Sequence, residues 1–136
     1  MRSEVVRISI QVPPRELISF LRDVDNWKTW GPWIRSVRKS STRDWMLDTE
    51  AGPMTLTFVE PNASEVLDHE VALASGVKVL NSLRVSAIPS GSELVMVVVQ
   101  LPGASAEEFE RDVQAVRDDF ARLKKVAERL TKEASR

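Results

Sequence analysis

The sequence predicts an α+β fold in which a curved antiparallel sheet of seven strands wraps around a long C-terminal helix. The first observation is an apolar stripe with helical spacing that runs from Ser105 to about Glu133. The second is a series of alternating segments between Ile34 and Leu101, separated by short turns. Sequential strands joined in this way form an antiparallel meander, because parallel neighbours need crossover connections of about a dozen residues or more. A curved sheet then buries its concave face and the helix stripe together.

Length and composition predict one domain, residues 1–136, with a single core. Hydrophobic residues make up 43% of the 136, which is ordinary for a globular protein. The chain has no cysteine and one histidine. Disulfides, zinc-thiolate sites and iron-sulfur clusters are therefore excluded. Most other transition-metal sites are also excluded, because they need more than one histidine. We expect neither a metal nor a cofactor.

Charge and hydropathy predict no nucleic-acid partner and no membrane insertion. The 19 basic and 20 acidic residues give a net charge of -1, so no overall field attracts nucleic acid. One basic cluster is interpreted as a solvated face, because Asp44 and Asp48 adjoin it. This cluster consists of Arg35, Arg38, Lys39 and Arg43. The longest apolar run, Leu94 to Val99, is too short for a bilayer, and no signal-peptide pattern begins the chain, so we expect a cytoplasmic protein.

A first strand and two short helices are predicted before the series of alternating segments. Residues 4–12 alternate between apolar and polar side chains, which is typical of a half-buried strand. Pro14 suits a first helical turn, and the apolar spacing after it predicts a helix through Asp23. Asp25 is the predicted cap of a second short helix from Asn26 to Trp30, which Gly31 and the following proline would end.

Six further strands are predicted, each bounded by turn residues. Their ranges are Ile34–Ser40, Arg43–Asp48, Met54–Glu60, Glu65–Ala74, Val77–Ile88 and Glu93–Leu101. The turn signals are Gly52-Pro53, Pro61-Asn62, Ser75-Gly76 and Pro89-Ser90-Gly91. The last of the strands is apolar on both faces, which favours either a covered edge or a dimer contact. We therefore expect a monomer or a homodimer.

The long helix carries recognisable signals at both ends. Ser105 and Glu108 have the spacing of a capping box, acidic residues follow in the first turn, and basic residues occupy the last turns. The stripe between them consists of Phe109, Val113, Val116, Phe120, Leu123, Ala127 and Leu130. At about 1.5 Å per residue the helix is roughly 40 Å long, so it needs a broad apolar surface to pack on.

The segment from Asp23 to Val37 resembles the START-like, or SRPBCC, superfamily. It reads Asp-Val-Asp-Asn-Trp-Lys-Thr-Trp-Gly-Pro-Trp-Ile-Arg-Ser-Val, similar to the aspartate, tryptophan, proline and aliphatic pattern that these proteins carry between their second helix and second strand. The predicted order of elements is similar to their helix-grip fold, and the resemblance covers essentially the whole chain. Polyketide cyclase/dehydratase-like and lipid-transfer proteins are members. The resemblance implies architecture more than activity, because one fold hosts many functions.

His69 and Asn81 are polar residues on faces that are otherwise apolar. A turn at Ser75-Gly76 places positions whose numbers sum to about 150 opposite one another, so His69 faces Asn81. An unpaired buried polar group costs about 1–3 kcal/mol. The two side chains therefore either bond each other or the backbone inside a packed core, or they contact a ligand. Asp68 and Glu70 lie on the opposite face, so no histidine–carboxylate relay is expected.

Three tryptophans crowd one short segment at Trp27, Trp30 and Trp33. They either line the mouth of a cavity or pack the short helices against the end of the sheet, since large aromatic residues also dominate cores. Trp45 alternates with Leu47 and is an inward-facing candidate on the same terms.

Three functional hypotheses follow. The resemblance implies binding of a small hydrophobic or aromatic molecule, lipid or polyketide-like, in a cavity between sheet and helix. The candidate ligand-binding residues are Trp30, Trp33, Trp45, Met54, Phe58, His69, Asn81, Leu83, Met96, Phe109, Val113 and Val116. The second hypothesis is a polyketide cyclase/dehydratase-like enzyme with His69 as general acid or base, although the chain has no strong catalytic motif. The third is an interaction protein with a filled core, and a cavity of about 300 Å³ or more would argue against it.

Overall fold

A computed structural model of the chain describes residues 2–59 and 66–134. The strands in these ranges are β1 (Ser3–Ile10), β2 (Ile34–Lys39), β3 (Asp44–Thr49), β4 (Gly52–Phe58), β5 (His69–Ala72), β6 (Lys78–Ile88) and β7 (Gly91–Val99). The helices are α1 (Pro14–Arg22), a 3₁₀-helix (Val24–Thr29) and α2 (Ala106–Ala134). The strands form one antiparallel sheet in the order β1-β7-β6-β5-β4-β3-β2. The predicted α+β architecture, a helix-grip fold with a long C-terminal helix, is confirmed.

Strand β7 lies inside the sheet, between β1 and β6. The interpretation of this strand as a covered edge is therefore wrong, because β1 and β2 form the edges. Its second apolar face, Val95, Val97 and Val99, is half-buried, and Val5 of β1, opposite Val97, is 46% exposed. The alternative of a dimer contact stays a prediction.

Strand β5 is shorter than predicted. The predicted start of this strand, the turn at Pro61-Asn62 and the predicted end of the preceding strand at Glu60 lie outside the described residues. At position 67 the backbone N–H of Leu67 donates to the Leu83 carbonyl at 2.8 Å. The reciprocal bond is missing, because the Leu83 N–H donates to Oδ1 of Asp68 at 2.9 Å instead. A side-chain carboxylate thus replaces a backbone acceptor, and the Leu67 carbonyl is released from the ladder.

The two short helices begin at a proline and an aspartate, as predicted, but the aspartate is not the predicted one. Pro14 occupies the first turn of α1, as predicted. The second helix is a 3₁₀-helix whose cap is Asp23, and Oδ1 of Asp23 accepts the backbone N–H of Asp25 at 3.2 Å. The predicted Asp25 cap is wrong because Asp23 already leaves the helical conformation. The Gly31 N–H closes this segment on the Trp27 carbonyl at 2.8 Å.

Helix α2 packs its stripe into the same core as the concave face of the sheet. Among the stripe residues Phe109, Val113, Phe120, Leu123 and Ala127 are buried. Val116 is half-buried, and Leu130 is 40% exposed, so the buried part of the stripe ends at Ala127. Within the described ranges, none of the helices has the length and apolar character needed to cross a membrane.

The predicted capping box at the start of α2 is confirmed. The Glu108 N–H donates to the Ser105 hydroxyl at 3.1 Å, and the Ser105 N–H donates to the Glu108 carboxylate at 3.2 Å. The backbone hydrogen bond from Ser105 is the largest effect that lowers the pKa of Glu108. The box is therefore strongest when Glu108 is ionised.

Ser105→Ala is expected to lower the free energy of unfolding by about 0.5–2 kcal/mol, because the Glu108 N–H loses the hydroxyl oxygen that accepts it. Urea denaturation at neutral pH measures the change. Ser19→Ala, at an exposed position inside α1, is the matched control and should leave stability nearly unchanged. Equal effects of the two substitutions would contradict a stabilising role for the box.

Candidate functional site

A cavity of about 220 Å³ lies between the concave face of the sheet, the tryptophan segment and helix α2. Its walls are almost entirely apolar. An apolar cavity of about 150 Å³ is large enough to hold benzene. The cavity therefore has room for an aromatic molecule somewhat larger than benzene.

Eight of the twelve predicted ligand-binding residues line this cavity. They are Trp30, Trp33, Met54, His69, Asn81, Leu83, Met96 and Val116. The structure brings these side chains together from the tryptophan segment, four strands and α2. Their contact with a ligand stays a prediction.

The other four predicted residues are buried in the core and do not line this cavity, so its lining does not support their contact with a ligand, which stays a prediction. Trp45 lies under Lys39, whose Nζ is 5.5 Å from the ring centre. Phe58 packs behind His69, with ring centres 6.1 Å apart. Phe109 and Val113 belong to the first turns of α2, whereas the cavity lies further along the helix, from Val116 to Phe120.

Six lining residues were absent from the predicted set. They are Trp27, Leu47, Leu56, Val71, Asp119 and Phe120. Five of them are apolar residues of the tryptophan segment, the inward strand faces or the helix stripe, where the sequence pattern gave a general signal. Asp119 was missed entirely. Its signal is positional, because it follows Val116 by three residues and precedes Leu123 by four, which places it on the stripe.

A second, more open groove of about 340 Å³ adjoins the cavity. The two share the lining residues Trp33, Val71, Asn81, Met96, Val116 and Asp119. They are therefore neighbouring parts of one cleft. The cavity of about 220 Å³ is smaller than the 300 Å³ set out above as the mark of a ligand site, whereas the open groove of about 340 Å³ exceeds that volume.

His69 is the buried polar group at the floor of the cavity, with 3% of its surface exposed. Its Nδ1 lies 2.9 Å from the Leu67 carbonyl, which was released from the strand ladder by Asp68. A carbonyl only accepts, so Nδ1 carries the proton. In the neutral ring Nε2 is then an acceptor, and the Asn81 amide donates to it at 3.3 Å. The predicted pairing of His69 with Asn81 is confirmed.

Burial is the main effect on the titration of His69, and it lowers the pKa of the imidazole below its ordinary value. The hydrogen bond to the Leu67 carbonyl and the nearby Asp68 charge oppose this shift. His69 is therefore neutral at neutral pH, its acceptor nitrogen already bonded. Asp68 does not touch the ring, since its carboxylate accepts from Leu83 and Arg84.

Asn81 lies where the cavity meets the groove and is half-buried. Its amide nitrogen is directed to His69, which orients the side chain. Among the described residues no donor reaches its Oδ1. Asn81 therefore offers the cleft an oriented hydrogen-bond acceptor.

Asp119 ties helix α2 to the tryptophan segment across the cleft. It is 8% exposed, and its Oδ2 accepts the indole N–H of Trp33 at 2.9 Å. Its Oδ1 pairs with Arg122, whose Nε also donates to the Trp30 carbonyl at 3.0 Å. Asp119 is the one carboxylate among the described cavity-lining residues, which include no lysine or arginine.

The three tryptophans of the cavity wall differ in how their indole N–H groups are satisfied. Trp27 donates to the Leu21 carbonyl at 2.8 Å, and Trp33 donates to Asp119. Trp30 is 5% exposed, and its Nε1 has no hydrogen-bond partner. In residues 2–59 and 66–134 it is the one buried side-chain nitrogen or oxygen left unpaired. No group of three or more potential metal ligands was found in those ranges.

Comparison with known proteins gives a family match and several structural matches. A family model described as "Polyketide cyclase / dehydrase and lipid transport" matches residues 1–128. Protein CV1439 from Chromobacterium violaceum is similar in structure, with a TM-score of 0.76, 12% identity, and coverage of 94% of this chain and 99% of that chain. A START superfamily protein from Mycobacterium smegmatis has a TM-score of 0.70 at 16% identity, covering 95% and 97%. The Aha1 dimer from Colwellia psychrerythraea has a TM-score of 0.73 at 13% identity, covering 94% and 97%. No curated protein matches the chain.

Proposed function

This chain belongs to the polyketide cyclase/dehydrase and lipid transport family of START-like proteins, and on that premise we propose that it binds a small hydrophobic or aromatic molecule between the sheet and α2. The observation that carries the proposal is the apolar cavity with three tryptophans in its wall and the His69–Asn81 pair beside them. Binding pockets for small molecules are mostly apolar, with a few polar groups that orient the ligand.

The dimensions of the cleft support a two-part ligand. The inner cavity of about 220 Å³ accommodates a ring system, and the adjoining groove accommodates a chain or substituent. Both parts have mostly apolar walls, so transfer of apolar ligand surface from water favours binding by about 25 cal/mol per Å². A lipid or a polyketide-like compound has this combination of ring or chain and apolar surface.

The state of His69 favours binding over acid–base catalysis. A general acid needs a proton on the nitrogen that faces the substrate, and Nε2 carries none. A general base needs a free lone pair and a pKa near the working pH, whereas the lone pair of Nε2 accepts from Asn81 and burial lowers the pKa. We therefore propose that His69 acts by orienting Asn81 and not as a catalytic residue.

Native mass spectrometry of freshly purified protein is expected to reveal a bound apolar or aromatic compound. In Val116→Phe the added ring occupies the cavity, so we expect the bound compound to be lost or its affinity to fall at least about tenfold, equivalent to about 1.4 kcal/mol. Quenching of the tryptophans in the wall by added ligand gives the affinity in solution.

Val126→Phe is the matched control, because Val126 is a half-buried valine of the same helix that does not line the cleft. This variant adds a ring to the core without filling the cavity. We therefore expect it to retain the bound compound. A protein without bound compound, whose fluorescence and melting do not respond to added apolar ligands, would instead support the filled core.

A further inference from the structure

We propose that the ligand carries an uncharged hydroxyl group, a phenol or an alcohol, that donates a hydrogen bond to Oδ1 of Asn81. This inference rests on the proposed binding function. It adds the chemical group that the cleft selects and the side-chain atom that selects it.

The first argument is the fixed orientation of the Asn81 amide. The carboxylate of Asp68 accepts the Leu83 N–H at 2.9 Å, and the Leu67 carbonyl that is thereby released lies 2.9 Å from Nδ1 of His69. In the neutral ring Nδ1 therefore carries the proton, and Nε2 presents a lone pair. That lone pair accepts from the amide nitrogen of Asn81, 3.3 Å away. The amide is thus held with its Oδ1 turned away from His69.

The second argument is that Oδ1 of Asn81 is unpaired and accessible. Among the described residues no donor reaches it. In residues 2–59 and 66–134 the one enclosed side-chain nitrogen or oxygen without a partner is Nε1 of Trp30, so Oδ1, which is also unpaired, keeps accessible surface. Asn81 is half-buried and lines both the cavity and the groove. The accessible surface of Oδ1 therefore opens onto the cleft, where a ligand oxygen has room to approach.

The third argument is the chemical match between the amide and a hydroxyl group. Oδ1 of Asn81 only accepts, so it requires a donor from the ligand. The amide nitrogen has a second hydrogen besides the one directed to His69, and a hydroxyl oxygen also accepts. A ketone or ether oxygen would displace water from Oδ1 without replacing its hydrogen bond, which is costly. A hydroxyl group is therefore favoured over these acceptor-only groups.

The fourth argument is charge. The described lining residues of the cavity and the groove include two carboxylates, Asp119 and Asp112, and no lysine or arginine. Arg122 is paired with Asp119, and burial lowers the pKa of His69, so neither supplies a free positive charge. Desolvation and repulsion therefore both oppose an anionic ligand. An ammonium group is disfavoured as well, because the walls are mostly apolar and both oxygens of Asp119 are already bonded.

The test uses 2-naphthol and 2-methylnaphthalene, which have nearly equal shape and differ in one hydroxyl group. Equilibrium dialysis gives the affinities of both probes for the wild type, for the double variant His69→Leu/Asn81→Leu and for Met96→Leu. The double variant is used because Asn81→Leu alone exposes the lone pair of Nε2, which would accept the hydroxyl in place of Oδ1. In the double variant the preference for 2-naphthol should fall about fivefold, the usual effect of one neutral hydrogen bond.

Met96→Leu is the control, because it changes a residue in the wall of both parts of the cleft at similar volume and leaves the amide in place. It should alter the affinities of both probes by a similar factor. A third probe, 2-naphthoate, tests the charge argument. It should bind the wild type at least about tenfold more weakly than 2-naphthol, equivalent to about 1.4 kcal/mol.

A second measurement requires no variant to fold. In ¹³C spectra of the wild type, the side-chain carbonyl resonance of Asn81 should lie further downfield with 2-naphthol than with 2-methylnaphthalene, because the two rings are alike and only 2-naphthol donates to Oδ1. Coincident Asn81 resonances, an unchanged preference in the double variant, or equal affinities for 2-naphthoate and 2-naphthol would each overturn this inference and leave the proposed function intact. Failure of both 2-naphthol and 2-methylnaphthalene to bind would overturn the proposed function, and this inference with it.

Discussion

Removal of the chain from Phe109 onward is expected to abolish folding, not to lower stability by a few kcal/mol. Helix α2 contributes five buried apolar residues to the core that it shares with the sheet. Each large buried side chain contributes about 1.5–3 kcal/mol, and a domain has a net stability of only about 5–15 kcal/mol. The free energy lost with these buried side chains therefore approaches or exceeds the net stability of the domain. Circular dichroism and thermal melting should show no cooperative transition.

The control is a chain that ends after Glu128. It keeps Ala127, the last buried residue of the stripe, and removes Leu130, which is 40% exposed. This shorter protein should melt cooperatively at nearly the wild-type temperature. A milder test inside the stripe is Phe120→Ala, which should cost about 3–5 kcal/mol because it leaves a void. A truncation at Phe109 that stays soluble and melts cooperatively would contradict the assigned role of the helix.

The features predicted correctly are those that depend on local periodicity. The stripe of α2 repeats with the helical period, and the start of the helix carries a capping box that is evident from the spacing of Ser105 and Glu108. The pairing of His69 with Asn81 depends on one tight turn at Ser75-Gly76, so a short stretch of sequence fixes a contact across the sheet. Such signals depend on neighbouring residues and need no knowledge of the rest of the fold.

The features that were missed depend on how distant side chains meet. Asp68 substitutes for a backbone acceptor of a neighbouring strand, and an alternating pattern contains no sign of this exchange. Asp119 is a charge on an apolar stripe, satisfied by Trp33, a residue that is remote in sequence. The position of the cavity depends on which core side chains fail to fill space. For this reason Phe109 and Val113, although on the same stripe as Val116, pack without lining it.

His69→Leu is expected to lower the free energy of unfolding by about 1–3 kcal/mol at neutral pH, because the Leu67 carbonyl and the Asn81 amide lose their buried partner. If the pair also orients the ligand, ligand retention should weaken in the same variant. Chemical denaturation and native mass spectrometry measure the two effects. Asn81→Leu and the double variant complete a cycle, and the double change should cost less than the sum of the single changes, since neither partner is left unpaired.

The pH dependence of His69→Leu gives an independent check on the same group. Burial lowers the pKa of His69 in the folded protein below its ordinary value of 6.5. Below about pH 6.5 the unfolded chain therefore binds more protons than the folded one, and stability falls as the pH decreases, by at most about 1.4 kcal/mol per pH unit. The variant lacks this component, so the stability difference between wild type and variant should shrink from pH 7.5 towards pH 5. A stability difference that does not depend on pH would contradict a buried neutral imidazole. In a separate assay of the same variant, a roughly hundredfold loss of turnover at unchanged ligand affinity would favour catalysis over binding.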